Sequence, residues 1–233
     1  MLLRQLFDRE SSTYTYLIAD RESGKAALID PVVEQVDRDL TLLEELGLEL
    51  VYALDTHVHA DHITGSGELR NRTGAQVVAS RRGAACADIR VQGGDGLRLG
   101  NLEIAVLETP GHTDDSVSYK VGSNVFTGDA LLVRKTGRTD FQNGDPEQLY
   151  RSLTEVLLAQ PEDTKLWPGH DYAGHTVTTV AEERRFNKRL AGRSREEFVK
   201  VMSSLGLPRP KFIDQAVPAN LRCGTPESAQ PSA

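Results

Sequence analysis

The stretch LDTHVHADHITG, residues 54–65, places three histidines and two aspartates in twelve positions, directly after the apolar run LVYAL. Imidazole and carboxylate are the side chains that give lone pairs to transition metals and shuttle protons near neutral pH. In an extended segment residues two apart point the same way, so His57 and His59 are expected to present their rings to one side. Asp61 and His62 are expected to open a helix over 61–73, where backbone N–H groups and side chains converge on one crevice. Adjacent residues diverge, so this pair suits either two neighbouring metal positions or one metal and the groups around it. His112 follows the turn in TPGHT, Asp129 ends VFTGD and His170 ends LWPGH, each just after a predicted strand. A lone histidine after a strand is ordinarily a hydrogen-bonded structural residue. An HxHxDH run joined by three further strand-end His and Asp residues reads as a metal site. His175 stands outside the pattern.

The elements that must position these groups are short. TYTYLIA (13–19) and KAALID (25–30) flank a Ser-Gly turn and read as a hairpin. Val36, Leu40, Leu43 and Leu46 lie close to helical spacing, and Gly47 stops that helix. LELVYALDT (48–56) and AQVVAS read as strands, and GDGLRLGNLEIAVLETPG as two strands joined at Gly100-Asn101. DSVSYKV and NVFTGD pair around Gly122-Ser123. DPEQLYRSLTEVL is a helix with Asp145 as its cap and Pro146 at its first position. TKLWPGH is a further strand, followed by helical segments near 177–190 and 194–204. The proline-rich residues 205–233 are expected to form an irregular C-terminal wrap and a loose tail. Strands in both halves with helices between them fit two sheets with helices outside, an αββα sandwich. The expectation is one domain spanning 1–233, with no repeat and no low-complexity linker.

Composition narrows the classes. A net charge of −7 and a pI near 5.4 argue against a nucleic-acid surface. The basic run EERRFNKRLAGRSR reads equally as a solvated helix face. The N-terminus has no apolar signal segment and the chain no long apolar run, so no membrane span is expected and a cytoplasmic address is the default. Cys86 and Cys223 cannot build a disulfide framework or a thiolate zinc site, and each reads as a packed bystander rather than a nucleophile. Chemistry therefore rests on His, Asp and Tyr.

HxHxDH at 57–62 with His112, Asp129 and His170 resembles the metallo-β-lactamase superfamily, and the resemblance covers nearly the whole chain. It implies an α/β protein with the αββα sandwich fold and leaves the reaction open, because that fold hosts hydrolases and oxygenases. Glyoxalase II enzymes share the ligand positions, hold two metals and cleave a glutathione thioester. Residues outside the ligands separate the two groups. TGDALLVRKTGRTDFQNGD, HDYAGHTVTTVAEER, SSTYTYLI and EEFVKVMSSLGLPRPKFIDQAVPANLRCG closely resemble the glutathione persulfide dioxygenase family. Lys135-Thr136 departs from the small Gly-Cys pair of that family, which bears on loop shape and on no ligand.

The resemblance implies one Fe(II) per chain, held by His57, His112 and Asp129 as a facial triad. His59, Asp61, His62 and His170 are then expected around it, although Asp61 would bind directly in a two-metal relative. The implied substrates are glutathione persulfide and O2, the products sulfite and glutathione, in sulfide detoxification. Arg138, Tyr172 and Arg189 are expected to hold glutathione, with Asp140 and Asp171 fixing the arginines or meeting its ammonium. A sulfurtransferase partner would be a separate chain, since no second Cys-centred domain is present; a homodimer stays open. The alternative is a dinuclear hydroxyacylglutathione hydrolase, and a third reading is a silent metalloprotein that only binds.

Overall fold

A computed structural model describes residues 1–225. The chain divides into two compact units, one of residues 1–91, 99–102 and 209 onward, the other of 92–98 and 103–208.

The first unit carries a six-stranded sheet in the order β1-β2-β3-β4-β5-β6. Its strands are β1 (Leu2–Phe7), β2 (Tyr14–Ala19), β3 (Lys25–Ile29), β4 (Glu49–Leu54), β5 (Gln76–Ser80) and β6 (Ile89–Val91). β1, β2 and β3 pair antiparallel, while β3, β4, β5 and β6 run parallel. Parallel neighbours need crossovers, supplied by α1 (Val36–Glu45) between β3 and β4 and α2 (Ser66–Thr73) between β4 and β5. α1 buries Val36 and Leu43 in a core with Leu17, Leu28, Leu50 and Leu69. α6 (Ile213–Asn220) closes this unit.

The second unit holds a sheet ordered β14-β13-β10-β9-β8-β7. These are β7 (Gly96–Leu99), β8 (Leu102–Glu108), β9 (Val117–Val121), β10 (Asn124–Gly128), β13 (Lys165–Pro168) and β14 (Thr178–Thr179); β11 (Leu131–Leu132) and β12 (Lys135–Thr136) form a separate small hairpin. β10 and β13 are parallel, and the chain between them includes α3 (Pro146–Arg151), continued by a π-helical segment Ser152–Leu157. Asp145 Oδ1 accepts from the N–H groups of Glu147 and Gln148, capping α3 ahead of Pro146. α4 (Val180–Phe186) and α5 (Arg195–Ser203) follow, and α5 opens on a reciprocal Ser194–Glu197 capping box. Leu149, Leu153, Leu157, Phe198 and Met202 pack with Val125 and Leu166 of the sheet.

Four sequence expectations change. β1, β6, the β11–β12 hairpin and β14 are not expected from the sequence, and β14 takes Thr178–Thr179 from the helix expected near 177–190, which begins at Val180. β1 is an edge strand in which only Leu2 is buried, so its alternation is weak. The helix expected over 61–73 begins at Ser66, and residues 57–65 form an irregular loop. Its backbone groups bond outside the segment: Val33 N–H reaches Ile63 O, and Gly65 N–H reaches Pro31 O. Residues 205–233 are not all irregular, because 213–220 is helical despite Pro218. The expected loose tail lies partly beyond the described residues. Finally, Cys86 and Cys223 are not bystanders: they form a disulfide with their Cα atoms 6.1 Å apart.

Candidate metal centre

In the first unit, β4 delivers the loop of histidines and β3 delivers its anchor. Asp30, at the end of β3 with φ 51°, is buried, and its carboxylate accepts from three groups. Thr56 N–H gives to Oδ1 at 2.7 Å, Thr56 Oγ1 to Oδ2 at 2.9 Å, and His59 Nε2 lies 3.1 Å from Oδ1. A carboxylate only accepts, so His59 carries a proton on Nε2 there, and Nδ1 is the nitrogen left to take a second proton or a metal. That Nδ1 is buried with no hydrogen-bond partner. Thr56 Oγ1 sends its own proton to Asp30, and therefore accepts from His57 Nδ1 at 3.0 Å. This assigns the lone pair of His57 to Nε2.

The rings of His57 and His59 lie 4.2 Å apart and those of His59 and His62 4.3 Å. His62 Nδ1 lies 3.0 Å from Asp61 Oδ2. Donor atoms of His59, Asp61 and His62 fall within 4.8 Å of one another, as do those of Asp30, Asp55 and His59. Burial opposes charge on His59, yet the carboxylates of Asp30, Asp61 and Asp55 outweigh it and push the imidazole up to about 9. Burial pushes Asp55 up to about 7, against His59 and a Thr64 hydroxyl 2.7 Å away. A pocket this rich in carboxylates calls for a cation, whether proton or metal.

In the second unit, three loops converge. His112 follows β8, Asp129 follows β10 and His170 follows β13. His112 Nδ1 lies 2.7 Å from the carbonyl of Arg138, an acceptor only, so Nδ1 holds the proton and Nε2 the lone pair. Asp129 Oδ1 takes a hydrogen bond from His170 Nδ1 at 2.6 Å. Asp129 Oδ2 stands 3.7 Å from His112 Nε2. That separation is too long for a hydrogen bond, yet two ligand bonds of about 2.1 Å to one metal span it. The donor set therefore fits a divalent transition metal.

Glycines permit the convergence. A Cβ on Gly137 would meet Asp129 O at 2.2 Å and His112 Nδ1 at 2.7 Å, and one on Gly169 would meet Asp129 Oδ1 at 2.8 Å. Asp30, Thr56, Gly137 and Gly169 were missed by sequence reasoning; the glycine before His170 was the only local signal.

The expected glutathione contacts fall in the second unit. Arg138 gives its guanidinium to Asp140 at 2.6 and 2.7 Å and to the carbonyls of Pro208 and Leu207, and lies over the Phe141 ring. Asp140 thus fixes Arg138, whose hydrogen bonds hold that carboxyl below its ordinary range. Arg189 is half-buried and donates to Thr136 O at 2.6 Å. Tyr172 is 68% exposed, with its ring parallel to that of His170 at 6.1 Å. Asp171 is committed to its own turn, accepting from Ala173 N–H and His175 N–H. Lys135 is exposed and Thr136 buried, so the departure from the family pair is absorbed in β12.

No helix among the described residues is long and apolar enough to cross a membrane. The model of the metallo-β-lactamase superfamily matches residues 8–85 and 87–170. Human persulfide dioxygenase ETHE1, a mitochondrial protein, is 52% identical over 227 residues, covering 96% of this chain and 89% of the relative. A crystal structure of ETHE1 from Myxococcus xanthus is 63% identical, covers 97% of this chain and all of that one, and superposes with a TM-score of 0.96. A hydroxyacylglutathione hydrolase from Methylobacterium matches less, 40% identical over 67% of this chain and 61% of its own length. The chain belongs to the metallo-β-lactamase superfamily and, within it, to the persulfide dioxygenases.

Proposed function

We propose that this chain, acting as one domain, oxidises glutathione persulfide with O2 and water to glutathione and sulfite through a single Fe(II). The reaction balances as one persulfide, one O2 and one water giving one glutathione and one sulfite with two protons. The observation that carries the metal assignment is the 3.7 Å gap between His112 Nε2 and Asp129 Oδ2, with each residue held from its other side. The family resemblance groups these two with His57 as the iron ligands. Iron, when bound, supplies the one-electron chemistry with O2 that none of these side chains has.

The chain's own residues then have separable tasks. Thr56 and the Arg138 carbonyl fix the tautomers of His57 and His112. His170 holds one oxygen of Asp129 and leaves the other assigned to the iron. His59, Asp61 and His62 shape the anionic surroundings from the first unit. Tyr172, exposed beside His170, is assigned to glutathione, together with the charge of Arg189 and the Arg138–Asp140 pair; Asp171 supports the turn that carries Tyr172. A separate sulfurtransferase as persulfide source, a homodimer and a cytoplasmic address belong to the same proposal, whereas the human relative is named as mitochondrial.

The test is oxygen uptake by anaerobically iron-loaded protein given glutathione persulfide, with sulfite and metal counted. One iron per chain, and O2 and sulfite in equal amounts, support the proposal. The cluster of His59, Asp61 and His62 donors favours a second, dinuclear hydrolase reading. Two metals per chain, no O2 uptake and cleavage of a glutathione thioester would establish that reading instead.

A further inference from the structure

The loop 57–65 leaves backbone groups in a buried setting without a regular ladder to satisfy them. Three of those groups converge on one side chain from far away in the sequence. Asn220 is the last residue of α6 and is 3% exposed. Its Nδ2 donates to His59 O at 2.9 Å and to His62 O at 2.8 Å, while its Oδ1 accepts from Thr64 N–H at 2.9 Å. Two carbonyls demand donors and one N–H demands an acceptor, so the carboxamide has one orientation, with both amide hydrogens and the oxygen engaged.

The segment behind Asn220 is docked as well. Cys223 O accepts from Gly67 N–H at 2.9 Å, at the start of α2. A Cβ on Gly224 would meet Thr64 O at 2.0 Å, and one on Gly67 would meet Cys223 O at 2.4 Å, so both contacts are at closest approach. The disulfide to Cys86 then ties Cys223 to the residues between β5 and β6.

We infer that Asn220 is a positioning residue for the metal loop. By gripping the carbonyls of His59 and His62 it sets the spacing of the two peptide units from which those imidazoles project. The Thr64 bond fixes where the loop turns toward α2. No other uncharged side chain of this size carries two donors and an acceptor in this arrangement. An aspartate in its place would set a carboxylate against two carbonyls, and an alanine would leave three backbone groups unpaired. The inference rests on the reading of this loop as part of the iron site.

The experiment compares wild-type protein with Asn220→Ala and Asn220→Asp. Iron affinity is read by chelator competition, the electron paramagnetic resonance of the nitric oxide adduct reports ligand geometry, and kcat and KM are measured separately. Both variants are expected to lose about 10-fold in iron affinity, the lower end of the roughly 10–100-fold range for groups that orient metal ligands, because His59 and His62 surround the iron while His57 on the same loop holds it. They should broaden or shift the resonance, and lower kcat while KM for glutathione persulfide stays within about twofold. Folded variants with wild-type iron affinity and resonance overturn the inference. So does failure of both to fold, which assigns Asn220 to folding alone. A wild-type chain that takes no iron defeats the functional proposal instead, and that control separates the two.

Discussion

The two halves of the molecule hold their candidate ligands by different physics. In the first unit the histidines sit among buried carboxylates: Asp30 and Asp55 are almost inaccessible, and each is answered by specific donors. In the second unit the ligand candidates are half-buried, and backbone closeness does the positioning. A carbonyl sets His112, while Gly137 and Gly169 let three loops approach. One half stores charge that a cation relieves; the other stores shape. The first should therefore answer to changes of charge and cross-linking, the second to changes of volume.

The cross-link gives the strongest test. The Cys86–Cys223 disulfide joins residues 137 apart in sequence and secures α6 against the first unit. Closing so long a loop restricts the unfolded chain, and reduction should lower stability by about 4 kcal/mol. Denaturant midpoints with and without reductant measure this. An unchanged midpoint would remove cross-linking from the description of the first unit.

Volume is tested at Gly137. Gly137→Ala places a methyl against Asp129 O and the His112 ring, with neighbouring backbone that has no room to give. The expected cost is on the order of 3 kcal/mol, the upper end for overpacking, with weaker iron binding. Thermal unfolding and chelator competition read both effects. If the variant matches wild type, close approach is not what builds the second half.

These tests also mark what a reader of the sequence alone can see. The candidate ligands are legible because chemistry concentrates rare residues: HxHxDH and the strand-end His112, Asp129 and His170 stand out by type and spacing. Hairpins, the Asp145 cap and the helix stop at Gly47 were legible because their signals are local. Asn220, Asp30 and the disulfide were not, since each acts on residues far along the chain and carries no neighbouring pattern. The same reason hid the true start of α2. A loop held by a carboxamide 158 positions from His62 looks, locally, like the first turn of a helix. Pro218 reads as a breaker, so the sequence predicts irregular chain where α6 forms.

Charge in the first half is tested at Asp30. Asp30→Asn keeps the shape but removes the charge and one acceptor from a carboxylate that serves Thr56 N–H, Thr56 Oγ1 and His59 Nε2. The tautomers of His57 and His59 lose their common reference. Iron affinity should fall toward the upper end of the roughly 10–100-fold range for such groups. Chelator competition against wild type reads it, and a change under threefold would mean that charge is incidental to the first half.

The smallest effect separates functional charge from charge that is merely buried. Asp39, in α1 of the same unit, is 1% exposed and has Oδ2 without a partner, although Arg38 reaches Oδ1 at 2.8 Å. Burial pushes its carboxyl up to about 6, against the opposing charge and hydrogen bond of Arg38. The ordinary value is 3.8, so the unfolded chain gives up this proton first as pH rises. The stability that Asp39 allows is intact below about pH 4, declines through the window up to about 6, and is lost above it. Asp39→Asn should therefore stabilise the protein by about 2 kcal/mol at pH 8, and the gain should vanish near pH 4. Iron affinity should not move, because Asp39 holds no histidine. Urea unfolding of both proteins at the two pH values decides it. A variant that is less stable at pH 8 would show that this carboxylate, like Asp30, is held in place by interactions worth more than its burial costs.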